Sequence, residues 1–366
     1  LGDRFIAVGS TSEIRRWVGD ATTVIDADGR TVVPGFIDAH MHPGLTYPES
    51  SPLATVDLRP ASVSSMADLI GALAAKAALV PEGQWIRGVR YEDTKLGRHP
   101  TRADLDQAST RHPIYLSHSS GHVGVASSFV LEAAGITRDT PDPPGGAFDR
   151  QDDGAPNGVC REAACRGLRQ AVPETPTTRQ DEVEAIQRTL RQFAAVGITT
   201  VVDAGGGPGK LGLYRAAVGP GSPVRVVMMV SSQYLDQMQE GGLATGFGDS
   251  RVKVGPIKAF HGNSLSGRTA WLFEPYDMVN PDTGERDYYG IPPDQTQDEL
   301  NALIFAIHEA GFQAAVHSNG DREITMLLEA FEKALTRLPR PDHRHRIEHA
   351  SVASSDILEK AKKLGL

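Results

Sequence analysis

The sequence is poor in several things, and each scarcity excludes a class of protein. There are two cysteines in 366 residues. Cys160 and Cys165 stand five apart, which fits neither a CxxC redox pair nor a zinc knuckle, so we expect buried thiols in a reducing, cytoplasmic setting. No apolar run approaches the roughly 20 residues that a membrane span needs. Positive charge is not in surplus: 37 Lys and Arg stand against 46 Asp and Glu, a net charge of −9, which speaks against a nucleic-acid or anionic-membrane partner. There is no serine nucleophile elbow, no P-loop and no GxGxxG dinucleotide motif. Short repeats and low-complexity tracts are missing as well. The sequence opens with Leu1 rather than Met, and its first residues read like the inside of a strand, so the natural N-terminus is expected upstream.

The chain is long enough for one large α/β domain with a smaller appendage. Its 38 Gly and 24 Pro suit many tight strand-to-helix connections. Residues 1–33 alternate like small antiparallel strands, with Phe5 to Val8, Thr22 to Ile25 and, after an Asp28-Gly29 turn, Thr31 to Val33. From Val32 the pattern changes to short apolar strands that end in polar, ligand-type residues. VVPGFIDAHMH is the first, followed by segments 197–205, 223–231, 254–262, 312–320 and 346–351. Helical stretches alternate with them, which implies a parallel sheet covered on both faces. Functional residues at the C-terminal strand ends are the arrangement of a (β/α)8 barrel. Residues 45–180 interrupt the repeat after the first strand, with many turns and a helix from about Ser64 to Ala78. A long insertion of this kind reads as a lid beside the barrel mouth.

His40 and His42 lie two apart at a strand end, so both side chains point to the barrel interior. Two imidazoles converging from one strand suit a divalent metal, zinc by default; alone, the pair reads equally as polar residues at a strand end. Asp38 shares their face and could orient a ligand. His317 and His349 each end a later strand, and four histidines at one rim shift the reading toward metal binding. Asp321 reads as either a ligand or a helix cap. Lys258 lies in an otherwise apolar strand. If buried, its amine would be neutral and able to take up carbon dioxide as a metal-bridging carbamate; alternatively its head snorkels outward. His122, in SGHVG, could reach substrate from the insertion or be an unremarkable loop histidine. His99, His112, His343 and His345 have polar neighbours and are expected to be solvated.

PGFIDAHMH, IKAFHGNSLSGRTA, AVHSNGDRE and RIEHA, in that order, resemble the amidohydrolase superfamily in its N-substituted formamide deformylase-like branch (amidohydrolase family 3). PTRADLDQA, SGHVGVASS and PDPPGGAF resemble that branch's insertion. The resemblance covers essentially the whole chain. It implies a (β/α)8 TIM-type barrel over residues 34–366, and a small β-sandwich to which residues 1–33 contribute. It also implies one or two zinc ions held by His40, His42, carboxylated Lys258, His317 and His349. The branch commonly reads Asp-Gly where this chain has Gly262-Asn263, with His261 beside them, and His122 and His261 are expected near substrate. The superfamily takes a general-base Asp from an eighth strand. Only six strands are counted before Leu366, so a barrel truncated after strand six is expected, with no residue here in the general-base role. His317 and His349 could ligate or assist. The implied function is metal-dependent hydrolysis of a C–N bond in a small amide or formamide. The alternatives are a lactone, carbamate or cyclic-amide hydrolase, and a catalytically inactive binding or regulatory protein. A homodimer is one assembly this reading allows.

Overall fold

The computed structural model describes residues 4–121, 123–144, 146–265, 268–280 and 283–366. The chain divides into two units, Leu1–Phe36 and Ile37–Leu366. In the first, α1 (Thr11–Ile14) is closed by a capping box between Ser10 and Glu13 and runs into a 3-10 turn at Arg15–Trp17. Among the described residues 4–33, no strand forms where strands were expected. Phe5, Val24, Ile25 and Val32 stay largely exposed. Alternation supplies an apolar face, but a short ribbon is marginal without a further layer to cover that face.

All of β1 (Phe36–Met41) but its first residue belongs to the second unit. The insertion that follows contains β2 (Val56–Asp57), α2 (Met66–Ala77), β3 (Ile86–Tyr91), α3 (Asp93–Leu96), α4 (Arg102–Ala108) and β4 (Ile114–His118). Then come β5 (Val123–Ala126), α5 (Ser128–Ala133), β6 (Gly146–Arg150), β7 (Pro156–Glu162) and α6 (Ala163–Gln170). The helix expected near Ser64 to Ala78 is α2. The strands make a mixed sheet ordered β2-β3-β4-β5-β7-β6. Its first two ladders are parallel and the rest antiparallel. Leu69 and Leu73, one turn apart on α2, pack with Ile86, Ile114 and Leu116; Trp85, Tyr115, Phe148 and Leu168 form a separate cluster. This segment is therefore a folded α/β layer with its own core. Cys160 on β7 and Cys165 on α6 are joined as a disulfide, which corrects the expectation of two free thiols. Glu162, at φ 51°, reverses the chain between them and brings their Cα atoms to 5.2 Å.

The remaining elements alternate regularly: α7 (Arg179–Ala195), β8 (Ile198–Asp203), α8 (Pro208–Ala217), β9 (Arg225–Ser231), α9 (Leu235–Glu240), β10 (Val252–Phe260), α10 (Gln297–Glu309), β11 (Ala314–Ser318), α11 (Asp321–Arg337), β12 (Arg346–His349) and α12 (Ser355–Leu364). With β1 they form a six-stranded sheet in the order β1-β8-β9-β10-β11-β12. The ladders from β8 to β12 are parallel. All six expected barrel strands are found. Val201, Val226, Ile257, Ala314 and Val316 share a core with residues of the covering helices, such as Ile304 and Phe331. Val202, Ala204, Met229 and Ala315, of opposite parity, form a small interior layer. The sheet curls until its outer strands meet: Arg346 Nη2 on β12 donates to the Ala39 carbonyl on β1 at 3.2 Å. This is the curvature of a barrel wall. Among the described residues no helix is long and apolar enough to cross a membrane.

Candidate metal centre

The parity of these strands sets the site. On β11, Val316 belongs to the helix-side core and Ala315 to the interior layer, so His317 projects inward. Register pairs His317 with Glu348 and Ser318 with His349. By alternation His349 would face the helices, but its φ of +73°, followed by +46° at Ala350, breaks the alternation. Left-handed backbone at a non-glycine residue is uncommon and concentrates at functional sites. The outcome is a chain of imidazoles: His42 to His40 at 5.6 Å between ring centroids, His40 to His349 at 4.8 Å, and His349 to His317 at 4.5 Å. The four histidines singled out in the sequence thus meet at the C-terminal rim.

Lys258 arrives from β10. That strand carries a register shift between Val254 and Ile257, where Pro256 offers no N–H to the ladder. Lys258 is 1% exposed. Its Nζ lies 4.8 Å from the Phe260 ring centroid, and no acceptor among the described residues is paired with it. Burial pulls its pKa below the ordinary lysine value, partly opposed by Glu348. The outward-snorkelling alternative is thereby set aside. Burial, followed by the neighbouring His40, lowers His42, and burial likewise lowers His317. His349 falls to about 4, from burial first and then from His317, His40 and Lys258. Neutral imidazoles keep the lone pairs that a cation would use.

Two residues overlooked in the sequence shape this rim. Glu348 accepts from His40 Nδ1 on one oxygen and from Arg346 on the other; period two along β12 would have pointed it inward. Asp203, at the end of β8, is fully buried. It accepts from Tyr214 Oη at 2.8 Å and pairs with Lys210 Nζ at 2.5 Å. Asp38 accepts the His40 backbone N–H at 3.1 Å, not a ring nitrogen. Asp321 is the first residue of α11, after the N-cap Gly320, and receives the Phe273 N–H at 2.8 Å, so it anchors a loop.

His261 is 1% exposed and stands apart from the imidazole chain, on a cavity of about 320 Å³ shared with Asn263, Ile291 and Gln295. Neither of its ring nitrogens has a hydrogen-bond partner among the described residues. His122 lies outside the described residues. Of the histidines expected to be solvated, His112, His343 and His345 are buried. His99 is half-buried and hydrogen-bonds Tyr91 Oη at 3.1 Å.

Among the described residues no group of three or more His, Cys, Asp or Glu side chains stands in a geometry that would hold a metal ion. His40 is turned to Glu348, and His317 Nε2 donates to the Asn263 carbonyl at 2.9 Å. The chemistry of the set nevertheless fits a metal of nitrogen preference: gathered, partly buried imidazoles beside a buried amine.

Fold and site together define an α/β barrel-type protein whose donor cluster lies at the C-terminal strand ends. The chain belongs to the Amidohydrolase family, whose profile matches residues 23–366. It is 28% identical over 376 residues to the N-substituted formamide deformylase of Arthrobacter pascens, across 100% of this chain and 67% of that protein. It is 29% identical over 365 residues to Protein LONG AFTER FAR-RED 3 of Arabidopsis thaliana, across 95% and 59%. Among solved structures, an uncharacterized metal-dependent hydrolase from Pyrococcus furiosus superposes with a TM-score of 0.62 at 28% identity, over 90% of this chain and 63% of that one. The chain therefore spans roughly three fifths to two thirds of the length of these relatives.

Proposed function

We propose that this chain carries the ligand-bearing part of a zinc-dependent hydrolase that cleaves the C–N bond of a small amide or formamide. The observation that carries the reading is the convergence of His40, His42, His317 and His349 on one rim together with buried, unpaired Lys258. Similarity to a formamide deformylase supports the choice of bond.

His40, His42, His317 and His349 would hold the ion. In its neutral form the amine of Lys258, whose pKa burial lowers, would add carbon dioxide and release a proton, giving a carbamate that would join the histidines in holding the metal. The chemistry a zinc ion supplies when bound is acidification of a water and polarisation of the scissile carbonyl. The ring of Phe260 lies against the Lys258 head. Glu348, tied to Arg346, steadies the His40 ring. His261, which lines a cavity, and His122 are assigned to substrate contact. Proton transfer from water is assigned to no residue of this chain. The test is metal content and turnover of N-formyl and N-acyl amines by the full-length protein. Wild type should bind one to two zinc ions per chain and hydrolyse members of the panel. The His40→Ala/His42→Ala variant should lose both properties, and unchanged metal content in it would end the assignment.

A further inference from the structure

Glu323 sits in the first turn of α11 and is fully buried, yet none of the rim chemistry uses it. Its carboxylate accepts four backbone N–H groups: Asn263 at 3.0 Å and Trp271 at 2.8 Å on Oε1, Asn319 at 3.1 Å and Gly320 at 2.8 Å on Oε2. Two of these amides belong to the segment after β10 and two to the turn between β11 and α11. One anion, placed at a helix N-terminus that favours it, therefore ties together the two rim segments that flank His317.

The position is made possible by Gly262. Its φ is +90°, and a Cβ built there would lie 2.1 Å from Glu323 Cδ and 2.3 and 2.5 Å from the two carboxylate oxygens. A side chain at 262 and the Glu323 carboxylate exclude each other. What the clamp positions is the backbone of Asn263. With its N–H on Glu323, its carbonyl accepts from His317 Nε2 at 2.9 Å and from Asn319 Nδ2 at 2.7 Å. Ser351 Oγ donates to Asn319 Oδ1 at 2.6 Å and so sets the orientation of that amide. Asn319 Nδ2 also lies 3.1 Å from His317 Nε2, but a carbonyl can only accept, so the shared acceptor fixes both groups as donors. Nε2 then bears the proton, and Nδ1 keeps the lone pair.

We propose that Glu323 is a positioning residue for the rim site: by gripping the Asn263 amide it holds that residue's carbonyl on His317 Nε2 and so fixes the tautomer whose Nδ1 is free for a metal ion. This rests on reading His317 as a metal ligand. Loss of such an outer partner of a ligating histidine typically costs 10–100-fold in metal affinity.

The experiment uses full-length protein with 15N-labelled histidine. The His317 ring nitrogens, assigned by their loss in His317→Asn, report the tautomer in the metal-free state, and chelator competition reports zinc affinity. Wild type should show the Nε2–H form. Glu323→Ala should mix the tautomers and weaken zinc about 10–100-fold. Glu323→Gln, which keeps the size but offers only one accepting oxygen, should fall between them. Because the Cβ of a residue at 262 would lie where the Glu323 carboxylate now is, an aspartate there puts its own carboxylate beside the vacated place, and Gly262→Asp/Glu323→Ala should recover part of both losses. Gly262→Asp alone should be the less stable single variant. Wild-type His317 in the Nδ1–H form, or a tautomer unchanged in both Glu323 variants, overturns the proposal whatever the metal does. Strictly additive losses in the double variant overturn it as well. Tautomers that mix while zinc affinity stays constant overturn instead the reading of His317 as a ligand.

Discussion

Replacing Lys258 by Met should stabilise the metal-free protein while abolishing the function proposed for it. Methionine matches the lysine stem in length and needs no hydrogen-bond partner. Lys258 is 1% exposed, and in the absence of metal its amine has only the face of the Phe260 ring and the charge of Glu348 to offset its desolvation, with no hydrogen-bond acceptor paired to it among the described residues. Burying such a polar group unsatisfied costs about 1–3 kcal/mol on mutational scales, and Lys258→Met should return a gain of that order. The sign of the pH dependence follows from the lowered pKa. The folded state binds the proton less readily than the unfolded chain, whose lysines titrate near 10.5. Wild-type stability therefore rises with pH from the folded pKa up to about 10.5. The advantage of the Met variant should be greatest at neutral pH and shrink toward pH 10.5. Urea unfolding of chelator-treated protein in carbon-dioxide-depleted buffer, followed by tryptophan fluorescence across that range, measures this directly. A Met variant that is destabilised at neutral pH, with the same slope as wild type, would show that Lys258 has a native partner and refute the reasoning.

Two further outcomes are expected. Opening the Cys160–Cys165 disulfide with Cys160→Ser/Cys165→Ser should lower unfolding stability by about 2 kcal/mol, from the loop-closure entropy of a bridge spanning so few residues; unchanged stability under oxidising conditions would show that the bridge contributes nothing. Burial, followed by His343, Arg340 and His308, holds the His345 pKa down at about 3. A histidine that titrates near 6.5 when unfolded and near 3 when folded leaves stability complete above pH 6.5 and erodes it as pH falls toward 3. His345→Gln should flatten that slope in acid titrations monitored by circular dichroism, and an unaltered slope would assign the acid sensitivity elsewhere.

The barrel strands were legible because each is a continuous apolar run ending in a polar residue, and burial on both faces demands that pattern. His40 and His42 followed from period two, and His317 from its place at a strand end. His349 was placed correctly at the rim, but nothing in RIEH announces the left-handed backbone that turns it inward. The insertion was harder to read: β5 has four residues and β7 contains Pro156 and Gly158, so turn residues hid the sheet. In the first unit alternation was read as strands, and the described residues 4–33 form none. His345 was misread because its neighbours in DHRHR are polar. Its environment is tertiary: the Ala314 N–H donates to Nδ1, and Nε2–H passes the hydrogen bond to His308. Glu323 and Glu348 escaped notice because a glutamate among charged neighbours on a helix or strand carries no local mark. Their roles emerge only when Gly262 and His40 come beside them.

The most direct test of the central claim is a crystal structure of the zinc-loaded full-length protein with anomalous data collected at the zinc edge. We expect one or two peaks at the C-terminal strand ends, ringed by His40, His42, His317 and His349, with continuous density for a carbamate on Lys258. Zinc bound elsewhere, or a free Lys258 amine remote from the ion, would contradict it.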